Sequence, residues 1–192
     1  PHLVLTAADL RAFEAVAGAA GLSLDHPAEL ALRLRGADRA LGVEFAGLME
    51  LDPDRHHLTF RSGHGWRPGL IGKASIPGGP GSQAGYVLRS KGPVVYHGLA
   101  EEARFEPSAI LLDHGCHSGL TTAIETRAGP FGILGAHTLQ ERRFTPDDAN
   151  FLAAVAHVLA SAIERKAYED ELQRSRAHLE ETVADRTRQL AA

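Results

Sequence analysis

Two short segments of this chain contain the residues that could carry chemistry. The first is HGCH at residues 114–117, where a thiol stands beside imidazole groups. This arrangement is typical of an activated nucleophile, a redox sensor, or a metal or haem ligand. His114 and His117 supply two metal donors, but they lie on a loop, where helix spacing holds neither of them in place. We therefore interpret Cys116 as a small packed residue.

The second segment is the glycine-rich IPGGPGSQAG at residues 76–85. Backbone amides that run into the N-terminus of a helix can bind anions. The nucleotide-binding pattern GxxxxGK[ST] does not occur, however, and Lys73 precedes the glycines instead of following them. The segment is more typical of a strand-to-helix turn with Ser82 as the N-cap residue.

The composition is that of one globular domain with an appendage. Of the 192 residues, 44% are hydrophobic and 23% are charged, and the formal net charge is -4. No block of Lys and Arg stands out, so nucleic acid is not an expected partner. The single cysteine excludes an internal disulfide and fits a reducing cytosol, which predicts a cytoplasmic location. No apolar run reaches about 18 residues, so we expect no membrane contact by this fragment.

The hydrophobic periodicity predicts helices at both ends of the chain and strands between them. Helices are expected at residues 7–20 and 27–36, and a further one at 82–90. Strands are expected at residues 43–51, 57–62, 74–76, 94–96, 120–126 and 133–138, with a loop or short helical region before the last two. Because hairpins outnumber crossovers, this order predicts the α+β class and an antiparallel sheet.

A long helix is predicted from Thr145, its N-cap, to Leu190, since no Gly or Pro follows Pro146. Its first half, to Ile163, carries an apolar face wide enough for a globular core. In its second half the apolar residues thin to a heptad pattern. The predicted dimer seam consists of Val155, Val158, Ala162, Leu172, Leu179, Val183 and Leu190, and charged residues occupy its other positions at Arg165, Glu169, Arg176 and Arg186. This pattern predicts a weak parallel coiled coil with a second copy of the chain.

Three segments together resemble a known family. They are GYVLRSKGPVV, HGCHSGLTTAI, and PFGILGAHT followed by FTPDDANFLAAVAHVLASAIERK. In order and spacing they resemble the GAF domain of bacterial signalling proteins, over about residues 7–166. The continuation ELQRSRAHLEETVADRTRQL resembles the signalling helix that links such sensors to a histidine kinase or a diguanylate cyclase. The resemblance implies a central antiparallel sheet of about six strands, with helices on one face and a ligand layer on the other.

The resemblance also implies an organisation and a function. Residues 1–22 would form an N-terminal helix for dimerisation and packing, residues 23–165 the GAF sensor, and residues 166–192 the signalling helix. We expect a non-enzymatic sensor that binds a small ligand or senses redox state. It would act as a homodimer through its N- and C-terminal helices and signal to a missing output domain, in the first place a histidine kinase. The alternatives are a ligand-free dimerisation module and a haem- or bilin-binding sensor, so the cofactor is unassigned.

In this family, small ligands lie between the sheet and a layer of loops and short helices. The predicted pocket residues are Phe45, Trp66, Ser82, Gln83, Tyr86, Leu111, Leu112, Cys116 and His117. The alternative is that these residues fill the core. Either way, the sequence does not name a ligand.

Several family activities have motifs that this chain lacks. Of the signature of members that bind cyclic nucleotides, only Phe144, Asp147 and Asp148 have counterparts. The Asp-Ile-Pro motif of phytochromes has no match, and members that reduce methionine sulfoxide depend on several cysteines. His178 lacks the Arg-Thr-Pro that should follow a phosphoacceptor histidine, so we interpret it as a solvated position of the coiled coil.

Overall fold

A six-stranded antiparallel sheet forms the centre of the structure, a computed structural model that describes residues 41–190. The two helices predicted within residues 7–36 lie outside the described residues. The strands are β1 (Phe45–Leu51), β2 (His57–His64), β3 (Ser75–Pro77), β4 (Val94–Tyr96), β5 (Ser118–Thr126) and β6 (Gly129–Thr138). Their order across the sheet is β3-β2-β1-β6-β5-β4, and each neighbouring pair is antiparallel.

Between Phe45 and Leu190, two short helices and one long helix accompany the sheet. Helix α1 (Gln83–Arg89) follows β3, and helix α2 (Ala109–Asp113) precedes β5. A 3-10 turn at Leu99–Glu101 lies between them, and helix α3 (Pro146–Leu190) ends the described chain with 45 residues. The predicted α+β class and the sheet of about six strands are confirmed. The strands β2, β5 and β6 are each longer than predicted, because their polar and glycine ends also pair with neighbours.

The alternation of side chains along the strands divides the core into two layers. Even-numbered residues of β1, β5 and β6 face α3 and form one cluster with it: Ala46, Leu48, Leu120, Ile124, Leu134 and Ala136. Odd-numbered residues of β1 and β6 face the opposite way. Phe45, Met49 and Ile133 pack there against α1, α2 and the segments between them, which we call the covering layer. The sheet is therefore buried on both faces.

Helix α3 passes through two environments. Its first half packs mainly on β5, and Leu152, Val155 and Leu159 are almost fully buried there. Burying each such side chain stabilises the fold by about 1.5–3 kcal/mol. From residue 171 onward, every side chain that the structure describes is exposed. One helix therefore completes the core of the domain and then extends away from it.

This division corrects part of the predicted dimer seam. Val155 is 0% exposed and Ala162 is 7% exposed within the single chain, because both pack against the sheet. They have no surface left for a second helix, so their assignment to the seam was wrong. Val158 is partly buried at the edge of the core. Leu172, Leu179 and Val183 are 60%, 61% and 63% exposed, while the side chain of Leu190 lies outside what the structure describes.

The start of α3 is tied to the sheet by one arginine. The backbone N–H of Arg142 donates to Ser118 Oγ over 3.0 Å, and its guanidinium donates to the carbonyl of Leu41 and to Asp148 Oδ1. The same guanidinium lies 4.7 Å from the ring centre of Phe144. Asp148 also exchanges hydrogen bonds with Thr145, which confirms the predicted cap. Arg142 thus joins β5, the entry to β1 and the first turn of α3.

We expect Arg142→Met to loosen this junction while keeping the apolar stem of the side chain. The loss of charge-assisted hydrogen bonds should lower the free energy of unfolding by about 1–3 kcal/mol. It should also speed amide hydrogen exchange in the first turn of α3, measured by mass spectrometry. Arg143→Met changes an exposed neighbour and is the matched control. Equal effects of the two substitutions would contradict this role of Arg142.

Candidate functional site

A row of residues with little or no side chain crosses the sheet on the face that meets the covering layer. Gly63 of β2 pairs with Gly47 of β1, Gly47 pairs with Gly135 of β6, and Gly135 pairs with Thr121 of β5. A Cβ atom at Gly135 would lie 2.4 Å from the His137 ring, and one at Gly47 would lie 2.7 Å from the Phe60 ring. The glycines therefore let aromatic rings lie directly on the backbone of the sheet.

Above this row lies a small cavity of about 30 Å³. It is large enough for one or two water-sized groups. Its lining is mostly apolar, with four uncharged polar side chains: Gln83, Ser108, Thr121 and His137. The side chain of Thr121 is 2% exposed, and its Oγ1 has no hydrogen-bond partner among the described residues. A buried hydroxyl without a partner is uncommon in folded proteins, so Thr121 is a position at which a further hydrogen-bonding group would be accommodated.

His137, which lines the cavity, is held in place by a buried tyrosine. Its Nδ1 lies 2.8 Å from the hydroxyl of Tyr96, and the two rings stack at 26°. Burial lowers the pKa of His137 to about 3, so the imidazole is neutral at physiological pH. Burial also raises the pKa of Tyr96, which keeps its proton. The pair is therefore an uncharged hydrogen-bonding unit.

Trp66 closes the cavity from the loop that follows β2. Its indole nitrogen donates to the carbonyl of Ala46 over 2.7 Å, and its ring lies between those of Phe45 and Phe60 at centroid distances of 4.9 and 5.5 Å. The next residue, Arg67, donates to Asp113 O and His114 Nε2. This loop is thereby fastened to α2.

A second, larger space opens beside the cavity. It is a cleft of about 270 Å³ between the β3–α1 loop and residues 106–109. Ile76, Gln83 and Ser108 line both spaces, so the two spaces adjoin at these residues. The cleft and the cavity are therefore adjacent parts of one site.

Three backbone amides of the glycine-rich loop at this cleft are already hydrogen-bonded within the protein. The backbone N–H groups of Ser82 and Gln83 donate to Gly79 O and Glu106 O, and that of Gly85 donates to Ser82 Oγ over 3.1 Å. Ser82 is therefore the N-cap of α1, as predicted. Because these donors are already used, the loop acts as a strand-to-helix turn.

The HGCH segment is held by packing and hydrogen bonds. Cys116 is buried, and desolvation, with a smaller effect of the charge on Glu44, raises the pKa of its thiol to about 12. A protonated thiol is a poor nucleophile and metal ligand. The Nδ1 of His114 donates to Ile110 O over 2.7 Å, and its Nε2 accepts from the N–H of Arg67. The described residues contain no group of three or more His, Cys, Asp or Glu that could hold a metal ion.

The structure brings only some of the predicted pocket residues to the site. Trp66, Gln83 and Leu111 line the cavity, and Ser82 lines the cleft. Phe45, Tyr86 and Cys116 pack in the layer around it. Leu112 and His117 are exposed and line neither the cavity nor the cleft. Leu112 follows Leu111 on a helix, and neighbouring helical residues point about 100° apart.

Other lining residues were missed by sequence reasoning. They include Gly47, Ser108, Thr121, Gly135 and His137, which come from four separate segments of the chain. One signal was available, because glycines inside strand patterns often mark places where another group approaches the backbone closely. The alternation of β5 places Thr121 and Thr122 on opposite faces of the sheet, but since both faces are buried, nothing in the local sequence shows which of the two lines the cavity.

The family model of the GAF domain matches residues 29–164, more than two thirds of the chain. The chain is a member of the GAF domain family. Residues 45–138 of this GAF domain contain the whole sheet, and the described site lies on the sheet face opposite α3. No curated protein matches the chain as a relative.

Solved structures with the same fold carry different activities. The GAF domain from a phosphoenolpyruvate-protein phosphotransferase of Coxiella burnetii is 17% identical, with a TM-score of 0.71, over 86% of this chain and 99% of that one. The phycocyanobilin-bound GAF domain from a cyanobacterial phytochrome is 15% identical, with a TM-score of 0.68, over 84% and 96%. Free methionine-R-sulfoxide reductase from Neisseria meningitidis, solved with its substrate, is 19% identical, with a TM-score of 0.66, over 86% and 97%. At these identities the likeness shows the fold alone.

The GAF domain is a sensory and regulatory module of signalling proteins and is generally non-catalytic. A helix that could span a bilayer, which needs at least 18 residues of sufficient hydropathy, is not found in the described part of the chain.

The buried histidine makes the stability of the domain depend on pH. The unfolded chain takes up a proton at His137 below about pH 6.5, whereas the folded chain does so only near pH 3. The free energy of unfolding should therefore fall as the pH drops through this range, by up to about 1.4 kcal/mol per pH unit. Urea denaturation at about pH 6.5 and pH 5 measures this slope. The pKa values of Asp54 and Glu102 are lowered from ordinary values of 3.8 and 4.5, so these carboxylates affect the stability mainly at pH values below the two that are compared.

We expect His137→Gln to flatten this pH dependence, because the variant lacks the titrating group. His178→Gln removes an exposed imidazole from α3 and is the control, which should keep the slope of the unmodified protein. A slope that is the same in all three proteins would contradict the assignment to His137.

Proposed function

We propose that this GAF domain is the sensory input of a larger signalling protein, in which a small molecule binds at the cavity and cleft and changes the packing of a dimeric α3. The observation that carries the proposal is the unpartnered hydroxyl of Thr121, which lies in a cavity lined by uncharged hydrogen-bonding groups. A ligand there would satisfy a donor and an acceptor that the fold leaves open. The buried, protonated Cys116 gives less support to redox sensing.

The connection from the site to the helix supports this proposal. Thr121 faces the cavity, while Leu120 and Ile124 of the same strand pack against α3. Three residues before Thr121, Ser118 holds Arg142, which in turn contacts the first turn of α3. A shift of β5 on ligand binding would therefore reach α3 at two places. One is the packing of Leu120 and Ile124, and the other is the hydrogen bond between Ser118 and Arg142. Differential contacts of this kind are what a ligand needs to shift a conformational equilibrium.

The second half of α3 supplies a surface for a second copy of the chain. Leu172, Leu179 and Val183 remain exposed at heptad spacing. The charged side chains Arg165 and Arg176 pair with Glu169 and Glu180 of their own helix, at 3.9 and 2.8 Å. Such pairs reduce the repulsion between like charges in a parallel dimer. A weak seam would keep two packings close in free energy, which switching requires.

In this proposal, residues 166–192 lead to an output domain, with a histidine kinase as the first candidate and a diguanylate cyclase as the second. The whole protein would then be an enzyme, while this fragment would act as its cytoplasmic regulatory part. The N-terminal helix would contribute to the same dimer.

One experiment separates a small-molecule sensor from the alternatives. The purified chain is examined by absorbance spectroscopy, and the molecules released on denaturation are identified by mass spectrometry. We expect no visible absorbance band and one released small molecule. The Ser108→Leu variant should no longer bind this molecule, because the larger side chain would occupy the space where cleft and cavity adjoin. A visible band would indicate a haem or bilin sensor. No released molecule, with no stabilisation by any metabolite tested, would indicate a dimerisation module.

The dimer is tested at the exposed seam. Leu172→Asp and Leu179→Asp each place a charge where two helices would meet, and each should raise the dimer dissociation constant at least about tenfold, as measured by analytical ultracentrifugation. Ala167→Asp and Ala177→Asp add the same charge at exposed positions outside the seam and are the matched controls. A monomer at all concentrations, or equal effects of seam and control substitutions, would contradict this dimer.

A further inference from the structure

We propose that the site takes an uncharged, mainly apolar molecule, whose body lies in the cleft and whose one small hydrogen-bonding group, such as a hydroxyl or a carbonyl, reaches Thr121 in the cavity. This inference rests on the proposed function, because it names the chemical class of the molecule that the sensor would bind.

The sizes of the two spaces indicate a ligand with a body and a small head group. The cleft measures about 270 Å³ and the cavity about 30 Å³. Pockets for drug-sized molecules begin at about 300 Å³, so the cleft suits a small ring compound or a short chain. The cavity suits a group no larger than one or two water molecules. Gln83 and Ser108 line both spaces and would contact the ligand where the two parts join.

The walls of the cleft are rigid and mostly apolar. Pro77, Pro80 and Pro107 line it together with Ala84 and Ala109. Proline and alanine have little side-chain freedom to lose, so a body that packs against them pays a small entropy cost. This lining favours an apolar body over a polar one.

The cavity supplies hydrogen bonds without charge. Thr121 Oγ1 is buried and has no partner among the described residues, and the imidazole of His137 lies in the same lining. A hydroxyl can both donate and accept, so a single small polar group of the ligand satisfies it. Thr122, the next residue, lies on the opposite face of β5 beside α3 and provides a comparison within the same strand.

Charge argues against ionic ligands. No Lys or Arg side chain is among the described residues that line either space, and Glu106 in the cleft is the one charged group there. The backbone amides of Ser82, Gln83 and Gly85 are already bonded within the protein. The nearby Arg104 is held by Glu102 at 2.6 Å and by the carbonyl of Val95. The described lining of the cavity contains no Asp, Glu, Lys or Arg, so a phosphate, a carboxylate or an ammonium group there would be a buried charge without a counter-ion, which is strongly unfavourable.

Three probes of one ring size test this inference: phenol, benzoate and benzylammonium, which are neutral, anionic and cationic. Each is titrated into the purified chain, and binding is followed by the fluorescence of Trp66, which lines the cavity and is the only tryptophan in the sequence. Isothermal titration calorimetry provides a second measurement. We expect phenol to bind saturably, with a dissociation constant at least about tenfold lower than those of the two ions.

Two isosteric variants locate the hydrogen bond. Thr121→Val removes the buried hydroxyl and should weaken phenol binding about tenfold, as expected for one lost hydrogen bond. Thr122→Val makes the same change on the other face of β5 and should leave the affinity unchanged. Thermal melting of both variants checks that each is folded. Equal weakening by the two substitutions would overturn the role of Thr121.

The charged probes decide the ligand class. If benzoate or benzylammonium binds as tightly as phenol, the inferred class is wrong, while the proposed sensory function stands. If none of the three binds, the inference is overturned. The co-purification experiment described above then decides the proposed function by itself, because it does not depend on the charge of the ligand.

Discussion

The close approach of aromatic rings to the backbone of the sheet is the constraint on which the site depends. At Gly63, Gly47 and Gly135 the sheet has no side chains on the covered face, and rings of Phe60, Trp66 and His137 occupy the space that Cβ atoms would need. Any larger residue in this row would push the covering layer away from the sheet, at a cost typical of overpacked cores. The same row ends at Thr121, whose hydroxyl is left in the remaining space. The cavity therefore results from the pairing register of four strands.

Because both of its faces are buried, the sheet lies between the site and α3 and contacts both of them. Residues that alternate along β5 and β6 contact the site on one side and α3 on the other. Closely packed interiors transmit small displacements, so a change in the packing on one face of the sheet can reach the other face. Arg142 adds a hydrogen-bonded connection at the end of the sheet where the helix begins. Beyond the core, the same helix extends away from the domain, and its surface there is mostly polar.

The interior of the covering layer uses hydrogen bonds and avoids charge. His137 is neutral because its pKa is lowered by burial, and Cys116 and Tyr96 keep their protons because burial raises their pKa values. The backbone amides of Ser82 and Gln83 are already hydrogen-bonded within the protein. These groups together provide uncharged hydrogen-bonding partners, which fits the neutral ligand proposed above. Solved structures with the same fold hold molecules as different as phycocyanobilin and the substrate of a free methionine-R-sulfoxide reductase. Within this fold, local side chains decide what is bound.

The sequence by itself determined the features that depend on neighbouring residues. The caps at Ser82 and Thr145, the alternation of the strands and the long helix all follow from local patterns, and they led to the correct fold class and family. The tertiary structure decided which residues share a space. Thr121 and His137 meet Gln83 through strand register and helix packing, and these contacts between distant segments leave no periodic signal. In the same way, Val155 and Leu172 both lie at a or d positions of one heptad frame, but the sheet beneath the first half of α3 buries Val155, whereas Leu172 lies beyond the sheet and is exposed.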